Sequence, residues 1–434
     1  MPVLTRRLGL VALVLAAVVL ALPTDVNGLL VVNGALLVVS VVDWLVAPAP
    51  HRIGVDRRFP EIVTLRSPSE LAWRVTNPTR RRQRIGIADQ LAPSLRARAR
   101  RATAGVPAEG SAVVRTAIRP TRRGRFELDD LTVRTLGPLG LVGRQRTRSE
   151  PGVLRIYPVF KSRAEAELRI NKARILEVGL RSAQGRGGGT EFEQLREWTP
   201  DDEFRRVDWA ATARANKPVV RTYRAERNQT VVVLLDNGRV MAGQVAGVPR
   251  VEHAMDAAMA VTTVATRLGD RCGLVAFDTE VRAAVPPAKD RHQLGRVTEA
   301  IYDLEPMLAE SDYLGAFTET LARFRRRALL VILTELVEAA VGEYLLPALP
   351  LIARSHIVLV GSVRDPEVMR WAETVPEDVS ETYRKAAAVA ALDERARTIA
   401  RLRGLGAVVI DAQPGQLAGR LADAYLEIKA RGRL

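Results

Sequence analysis

Polar side chains stand directly after two apolar runs in the second half of the chain. Asp236 follows the run from Val231 to Leu235. Thr334 and Glu335 follow the run from Ala328 to Leu333. Continuous apolar runs of this length predict buried parallel strands. Because ligands of parallel sheets bind at the carboxyl ends of the strands, these three side chains mark the predicted binding site.

The motifs of common hydrolases and nucleotide-binding enzymes are missing from the sequence. It contains no Gly-x-Ser-x-Gly elbow, no His-Glu-x-x-His zinc motif and no Walker loop. The glycines from Gly185 to Gly189 lack the strand–loop–helix frame of a phosphate loop. Cys272 lies in an apolar run, which predicts a small buried hydrophobe rather than a nucleophile. We expect no enzymatic activity, with an uncharacterised hydrolase as the less favoured alternative.

The elements that must position the predicted site alternate between strand and helix after Thr230. Amphipathic helices are predicted near Val251 to Leu268 and Gln293 to Leu304, and strands at Gly273 to Phe277 and Val281 to Val285. The alternation continues to the end of the chain. It predicts a doubly wound α/β domain over residues 229–434, with a mostly parallel sheet covered on both faces.

Short alternating segments occupy residues 51–160. They include Leu71 to Val75, Arg84 to Ile87 and Ala112 to Ile118, and are separated by Pro, Gly, Asn and Asp. This pattern is typical of a small β-sandwich of about seven strands. Residues 161–228 are interpreted as a linker between the sandwich and the α/β domain.

Two apolar runs precede the β-rich region, Leu8 to Leu22 and Leu29 to Ala47, with a short turn between them. With their flanks, both runs approach the length of about twenty residues that a membrane-spanning helix needs. Residues 1–50 are therefore predicted to form a two-helix transmembrane hairpin. A cleaved signal peptide followed by a buried strand is the alternative.

The charges beside the two runs predict the orientation of the hairpin. Arg6 and Arg7 flank its first end and Arg52, Arg57 and Arg58 its last end, whereas the turn carries no positive residue. By the positive-inside rule, both termini and the main domains face the cytoplasm of a bacterial inner membrane. A single cysteine is consistent with that reducing compartment.

The net charge of +16 comes almost entirely from arginine. A basic surface suits the anionic inner leaflet of a lipid bilayer. No helix-turn-helix, zinc-finger or ribonucleoprotein motif is present, and aromatic residues make up only 5% of the chain. We therefore expect the bilayer, and not nucleic acid, to be the partner of this charge.

The segment from Gly187 to Arg214 contains Gly-Gly-Gly-Thr-Glu-Phe, Leu-Arg-Glu-Trp-Thr-Pro-Asp-Asp and Arg-Arg-Val-Asp-Trp. Together with Pro120 to Phe126 and Gly137 to Leu141, it resembles the bacterial family called domain of unknown function 58. The charged residues of this segment are interpreted as either a structural ion-pair network or a partner-binding surface. Trp198 and Trp209 are expected to dock the segment on the α/β domain. Its candidate residues are Gly189, Glu191, Phe192, Arg196, Asp201, Asp202, Arg206, Asp208, Trp209 and Arg214.

This resemblance implies a von Willebrand factor type A-like fold for the α/β domain. It also implies a functional link to MoxR-type AAA+ ATPases, which makes the chain a membrane-anchored adaptor or co-chaperone. An envelope scaffold that acts without an ATPase is the alternative.

The resemblance further implies a Mg²⁺ site built from Asp-x-Ser-x-Ser and a later Thr and Asp. Asp236 survives here, but Gly238 and Val240 replace the two hydroxyl residues. We expect no stable metal, although a weak Mg²⁺ site at Asp236 stays open. Ser311 is a candidate to replace the Thr, Glu335 stands where the later Asp is expected, and Arg239 is placed near both carboxylates. The candidates for a degenerate metal site or partner contact are Asp236, Gly238, Arg239, Ser311, Asp312 and Glu335.

Overall fold

A computed structural model describes residues 1–21, 25–60, 62–183, 191–200, 202, 204, 207–224 and 228–431. The chain divides into two compact units, Met1–Tyr157 and Pro158–Leu434.

The first unit begins with two apolar helices and continues with strands. Its sheets have the orders β1-β9-β8-β5-β6, with β3 beside β9, and β2-β4-β7. The described elements are β1 (Pro2–Leu4), α1 (Arg6–Ala21), α2 (Val26–Val46), β2 (Gly54–Arg58), β3 (Val63–Thr64), β4 (Ser69–Asn77), β5 (Gln83–Asp89), β6 (Arg101–Val106), β7 (Gly110–Ile118), β8 (Gly124–Leu136) and β9 (Val142–Tyr157).

Alternating side chains fill the space between the two sheets. Leu71, Trp73 and Val75 of β4 are buried, and the residues between them, Ala72 and Arg74, are only partly buried. The indole N–H of Trp73 donates to Asp89 of β5 at 2.7 Å, and Asp89 also pairs with Arg57 at 2.7 Å. Strands β2, β6 and β9 were not predicted, because β2 and β9 carry many charged residues and β6 consists mostly of small residues.

The end of α2 is attached to the β-rich part of the first unit by a buried carboxylate. Asp43 is 1% exposed and accepts backbone hydrogen bonds from Leu139, Leu141 and Val142 at 2.8, 2.8 and 2.9 Å. Leu139 and Leu141 belong to the loop between β8 and β9, and Val142 begins β9. A Cβ at Gly137 would collide with Asp43. The segment from Gly137 to Leu141, which is part of the family resemblance, thus holds the end of α2.

The start of α1 is attached to the same sheet. Strand β1, directly before α1, pairs antiparallel with β9. The guanidinium of Arg144 on β9 lies 4.9 Å from the ring centroid of Trp44 in α2 and donates to the Trp44 carbonyl at 3.0 Å. Both ends of the α1–α2 pair are therefore fixed to one sheet.

Among the described residues, one helix is long and apolar enough to cross a membrane, Val26–Arg52 with its final turn. Helix α1 has 16 residues and is shorter. The run from Leu29 to Ala47 is helical up to Val46. The alternative that made this run a buried strand is therefore wrong.

The second unit is a mixed α/β domain. Its described elements are α3 (Arg163–Ala183), β10 (Glu191–Glu197), α4 (Trp209–Ala215), β11 (Val219–Arg224), β12 (Thr230–Asp236), α5 (Arg239–Ala242), β13 (Gln244–Val245), β14 (Val248–Pro249), α6 (Arg250–Arg267), β15 (Arg271–Phe277), β16 (Val281–Ala288), α7 (Gln293–Ile301), α8 (Tyr313–Arg323), β17 (Leu329–Leu333), α9 (Glu338–Ala340), α10 (Leu346–Ala353), β18 (Ile357–Val363), α11 (Pro366–Glu373), α12 (Val379–Gly404), β19 (Val408–Ala412) and α13 (Leu417–Ala430).

The main sheet has the order β16-β15-β12-β17-β18-β19. All neighbouring strands are parallel except β16, which pairs antiparallel with β15 at the edge. Val231, Val233 and Leu235 of β12 pack on the side of α6 and α13. Val232 and Leu234 pack on the side of α8 and α10. Helices therefore cover both faces, and the carboxyl ends of the parallel strands share one edge.

The interpretation of residues 161–228 as a linker is wrong for its first third. Helix α3 packs into the core of the α/β domain through Ala166 and Ile170. Arg169 forms an ion pair with Asp423 of α13 at 2.9 Å. Charged residues surround Ala166 and Ile170 in the sequence, so the first half of α3 did not show an apolar face.

We predict that Asp43→Ala destabilises the first unit by about 2–4 kcal/mol, because it leaves the buried N–H groups of Leu141 and Val142 and the partly buried one of Leu139 without an acceptor. Hydrogen exchange of the full chain in detergent should show faster exchange at Leu139, Leu141 and Val142. Asp25→Ala is the matched control, since Asp25 is exposed and its side chain caps no helix. Unchanged exchange in Asp43→Ala would show that the carboxylate does not hold this loop.

Candidate functional site

Asp236 ends β12 and is fully buried. Its Oδ1 accepts hydrogen bonds from the Ser311 hydroxyl at 2.5 Å and from the backbone N–H of Gly238 at 2.8 Å. Its Oδ2 accepts from the hydroxyls of Tyr313 at 2.7 Å and Thr334 at 2.6 Å. Four donors of the chain itself therefore occupy the acceptor positions of this carboxylate.

These donors come from three segments that meet at one point of the sheet. The parallel strands follow the order 2-1-3-4-5, so the chain changes direction between β12 and β17. Crevices at such switch points are where open α/β sheets bind ligands. In this domain the side chain of Tyr313 fills the crevice, and its ring packs edge-on against Phe277 at 5.4 Å and Phe317 at 6.1 Å.

Tyr313 is the residue that sequence reasoning missed at this site. Burial, together with the charge of Asp236, raises the pKa of its hydroxyl well above the ordinary value, so it stays a neutral donor. An aromatic residue at the start of a helix normally indicates core packing. Only the position of Ser311 two residues earlier pointed to this segment.

Gly238 leaves no room for a side chain, because the hydroxyl of Ser311 occupies the position next to its Cα. A Cβ at Gly238 would collide with the Ser311 hydroxyl and lie 3.1 Å from the carbonyl oxygen of Ala309. The hydroxyl of Ser311, from another loop, thus takes the place of the first hydroxyl that the metal motif lacks here. The structure brings Asp236, Gly238, Ser311 and Thr334 together.

Two candidates do not join this cluster. Asp312 caps α8 and accepts the backbone hydrogen bond of Gly315 at 2.9 Å. Arg239 is turned toward the surface, where it pairs with Glu310. The placement of Arg239 near Asp236 and Glu335 is therefore wrong.

Glu335 belongs to a second network at the ends of β17, β18 and β19. Its buried carboxylate lies 3.2 Å from Arg250 of α6, accepts from Ser362 at 3.0 Å and pairs with Arg395 of α12. Arg395 also pairs with Asp411 at 2.9 Å. This network joins residues far apart in sequence, so no local spacing could have predicted it.

The donor set around Asp236 does not fit Mg²⁺. An octahedral shell needs several oxygen ligands with free lone pairs, and Asp236 is the one carboxylate in the cluster. No group of three or more His, Cys, Asp or Glu that could hold a metal ion occurs in the parts of the chain that the structure describes. Hydroxyl and amide protons point at the oxygens where a cation would bind.

The described part of the signature segment contains local ion pairs. Arg196 donates to Asp202 at 2.7 Å, and Asp202 also accepts from the backbone and hydroxyl of Thr199 at 2.9 and 2.8 Å. Asp208 caps α4 and pairs with Arg221 at 2.7 Å. Arg214 donates to the Ala210 carbonyl of its own helix at 3.2 Å. Gly189, Asp201 and Arg206 lie outside the described residues, as do the side chains of Glu191 and Phe192.

Trp209 does not dock the signature segment as predicted. Its side chain is 61% exposed and packs edge-on against Phe204, which is 69% exposed, at a centroid distance of 5.4 Å. The prediction for Trp209 is therefore wrong, because its helix α4 turns this residue outward after the Asp208 cap. Two adjacent exposed aromatic rings are a feature of interaction surfaces.

Cys272 is buried in β15, as predicted. Desolvation raises the pKa of its thiol to about 12. A thiol with such a pKa stays protonated at neutral pH and is not a nucleophile.

We predict that Gly238→Ala lowers the free energy of unfolding by about 1–3 kcal/mol, because the new methyl group must displace Ser311 from Asp236. Chemical denaturation measures the loss. Gly295→Ala is the matched control, since nothing surrounds that position in α7. The control should be neutral or stabilise by up to about 1 kcal/mol. Equal stabilities of the two variants would contradict the packing argument.

We predict a pH dependence from the ion pair of Asp202. Arg196 lowers the pKa of Asp202 from 3.8 to about 2. The ion pair stabilises the folded protein fully at pH values above the pKa that Asp202 has in the unfolded chain. This stabilisation is lost as the pH falls through the lower pKa that Asp202 has in the folded protein. A carboxyl ¹³C titration should give a midpoint of about 2 for Asp202. Arg196→Gln should raise this midpoint, and an unchanged midpoint would mean that the ion pair does not form in solution.

Comparison with known proteins gives relatives without established roles. The family model described as "Protein of unknown function DUF58" matches residues 194–378. Uncharacterized protein Mb1516 of Mycobacterium bovis and uncharacterized protein Rv1480 of Mycobacterium tuberculosis are each 27% identical over 262 residues, 57% of this chain and 81% of theirs.

Two solved structures are also similar. The conserved hypothetical protein BatB from Bacteroides thetaiotaomicron has 13% identity and a TM-score of 0.30, covering 47% of this chain and 100% of that one. The vWF domain of the type V pili tip protein Mfa5 from Porphyromonas gingivalis has 17% identity and a TM-score of 0.22, covering 26% of this chain and 39% of that one. Through residues 194–378 and the mycobacterial relatives, the chain is similar to the family described as protein of unknown function DUF58.

Proposed function

We propose that this chain is a membrane-anchored, non-catalytic protein-interaction module that acts as an adaptor or co-chaperone of a MoxR-type AAA+ ATPase. The observation that carries the proposal is a set of exposed apolar side chains within residues 307–314 and 334–337, the segments whose residues contact Asp236 and Asn237. We call this set the strand-end rim; it consists of Met307, Leu308, Leu314 and Val337. Exposed large apolar residues on such segments favour binding to another protein.

The buried cluster below the rim supports binding rather than catalysis. Asp236 is surrounded by donors of the chain, and the side chain of one of them, Tyr313, fills the crevice. A side chain in this state has no oxygen available to act as a base or nucleophile. The cluster instead fixes the loops that carry Leu308 and Leu314, so that the rim is ordered before a partner arrives.

The attachment of the apolar helices supports a hairpin of two spans. Because β1 and β9 fix both ends of the α1–α2 pair to one sheet, a chain that crosses the bilayer in α2 must also cross it in α1. The positive residues beside these ends favour the cytoplasm for the sheet. The ATPase partner and the von Willebrand factor type A-like class of the α/β domain rest on the family resemblance.

The proposal is tested by affinity purification of the tagged full chain from native membranes, followed by mass spectrometry. We expect an AAA+ ATPase in near-equal amount with the wild type, and its loss with Leu308→Asp. Leu308 is 77% exposed, so this variant should fold. Val379→Asp, an exposed valine at the start of α12, is the matched control and should retain the ATPase.

Recovery of envelope proteins without an ATPase would favour the scaffold alternative over the adaptor. Recovery of the ATPase with both variants would keep the adaptor role and remove the rim from the interface.

We predict that Mg²⁺ does not stabilise the protein. A ligand that binds only the folded state at about one hundred times its Kd adds about 2.7 kcal/mol to the free energy of unfolding and raises the Tm. Thermal unfolding with Mg²⁺ and with EDTA should therefore give the same Tm. A Mg²⁺-dependent increase that disappears in Asp236→Asn would contradict the prediction and restore the metal site.

A further inference from the structure

We propose that one end of the first unit is a lipid-binding surface, which inserts Leu139 into the bilayer interface and binds the phosphate groups of anionic lipids through arginine. We call this end the helix base; it consists of β1, residues 137–141, the start of β9 and the residues that follow α2. The inference rests on the membrane anchoring in the proposed function, because the anchored helices bring the bilayer to this end. It adds a lipid class and a contact depth to that anchoring.

Two large apolar side chains of the helix base are exposed. Leu139 is 55% exposed and Leu4 is 71% exposed. The backbone N–H of Leu139 donates to Asp43 at 2.8 Å, which places Leu139 beside the last turn of α2. Leu4 lies just before α1 and pairs with Val142 of β9. Both leucines therefore lie at the level where the apolar helices leave the bilayer.

Trp44 and Arg144 lie at the same level. Trp44 follows Asp43 in α2, and the guanidinium of Arg144 lies 4.9 Å from the centroid of its ring. Tryptophan is enriched at the boundary between headgroups and hydrocarbon, and arginine extends its charge from an apolar stem into the headgroup region. An aromatic ring, a cation and exposed leucines at one level are the residues that a bilayer interface accommodates.

Positive charge surrounds these side chains without nearby carboxylates to balance it. Residues 1–10, 44–55 and 131–149 contain no Asp or Glu. The carboxylate of Asp43 is buried and is occupied by three backbone N–H groups, so it does not pair with them. The basic residues of these segments, apart from His51, are Arg6, Arg7, Arg52, Arg134, Arg144, Arg146 and Arg148.

The exposed arginines among them are available to a ligand. None of them forms an ion pair with a carboxylate in the described parts of the chain; they are Arg6, Arg7, Arg52 and Arg146. A Cβ at Gly140 would lie 3.2 Å from a terminal nitrogen of Arg7. The Arg7 guanidinium therefore lies beside the loop that carries Leu139, so that one lipid molecule can contact both residues.

The combination of apolar and cationic side chains selects a lipid over a soluble anion. A guanidinium binds phosphate through two parallel hydrogen bonds. Anionic lipids present phosphate at the level of these arginines and hydrocarbon just below it. A free phosphate ion would leave Leu4 and Leu139 in water, whereas a lipid headgroup region covers them. The bound group is therefore the phosphate of an anionic lipid.

The depth of Leu139 is measured in the full chain reconstituted into nanodiscs. A bimane label at Leu139→Cys should be quenched by lipids that carry a doxyl group on the acyl chain. The natural Cys272 is buried, so the label is directed to the new cysteine. Val153→Cys is the matched control, because Val153 is 41% exposed and lies on β9 about 35 Å from Val142. Its label should not be quenched, and equal quenching at both positions or none at position 139 would overturn the surface.

The lipid class is measured by native mass spectrometry of the full chain, released from nanodiscs that contain equal amounts of phosphatidylglycerol and phosphatidylcholine. We expect phosphatidylglycerol to be retained in preference. Arg7→Gln should lower this preference by up to about fivefold, the effect of one arginine near an anionic surface. The double variant Arg7→Gln/Arg146→Gln should lower it further. Arg125→Gln is the matched control, since exposed Arg125 pairs in register with Arg155 near the other end of β9.

Three results of this measurement would overturn the headgroup site. They are the absence of a preference in the wild type, an unchanged preference in the double variant, and an equal loss in Arg125→Gln. Displacement of phosphatidylglycerol by millimolar inorganic phosphate would also overturn it, because the site would then bind a free anion.

The inference and the proposed function can fail separately. An unquenched label at position 139 in a chain that stays in the nanodisc would overturn the lipid surface and leave the anchoring intact. Release of the chain from native membranes by alkaline carbonate would contradict the anchoring and the lipid surface together. Recovery of an ATPase tests the adaptor role alone, and we expect it to be the same for the wild type and the double variant.

Discussion

The carboxylate of Asp236 is the interaction on which the α/β domain depends at its functional edge. It lies where the chain reverses direction across the sheet, a point at which open α/β folds leave a crevice. Ser311, Tyr313 and Thr334 donate to it from separate segments. An isolated buried carboxylate would be strongly unfavourable, so these donors must stay together. Their loops, and the exposed apolar residues on them, are therefore held in one arrangement.

A second buried carboxylate has the same role in the first unit. Asp43 gathers three backbone N–H groups of the loop that Gly137 opens, and β1 fixes the other end of the helical pair to the same sheet. Each unit thus uses one aspartate to organise a loop. In the first unit it attaches apolar helices, and in the second it shapes a surface.

Local periodicity predicted the elements of the α/β domain well, because buried parallel strands are continuous apolar runs that any window detects. It failed for α3, which enters the core through Ala166 and Ile170 although charged residues surround both in the sequence. At the site, Asp236 and Ser311 could be identified from position in the chain. Tyr313 and Arg395 could not, because their partners lie far away in sequence and depend on how helices pack on the sheet.

The most direct test places a photo-crosslinking amino acid at Leu308 in cells and identifies the crosslinked protein by mass spectrometry. The account predicts one dominant product, an AAA+ ATPase, and no such product from the same probe at Val379. Crosslinks from Leu308 only to envelope proteins, or an ATPase captured equally from Val379, would contradict the claim that the strand-end rim is the adaptor surface.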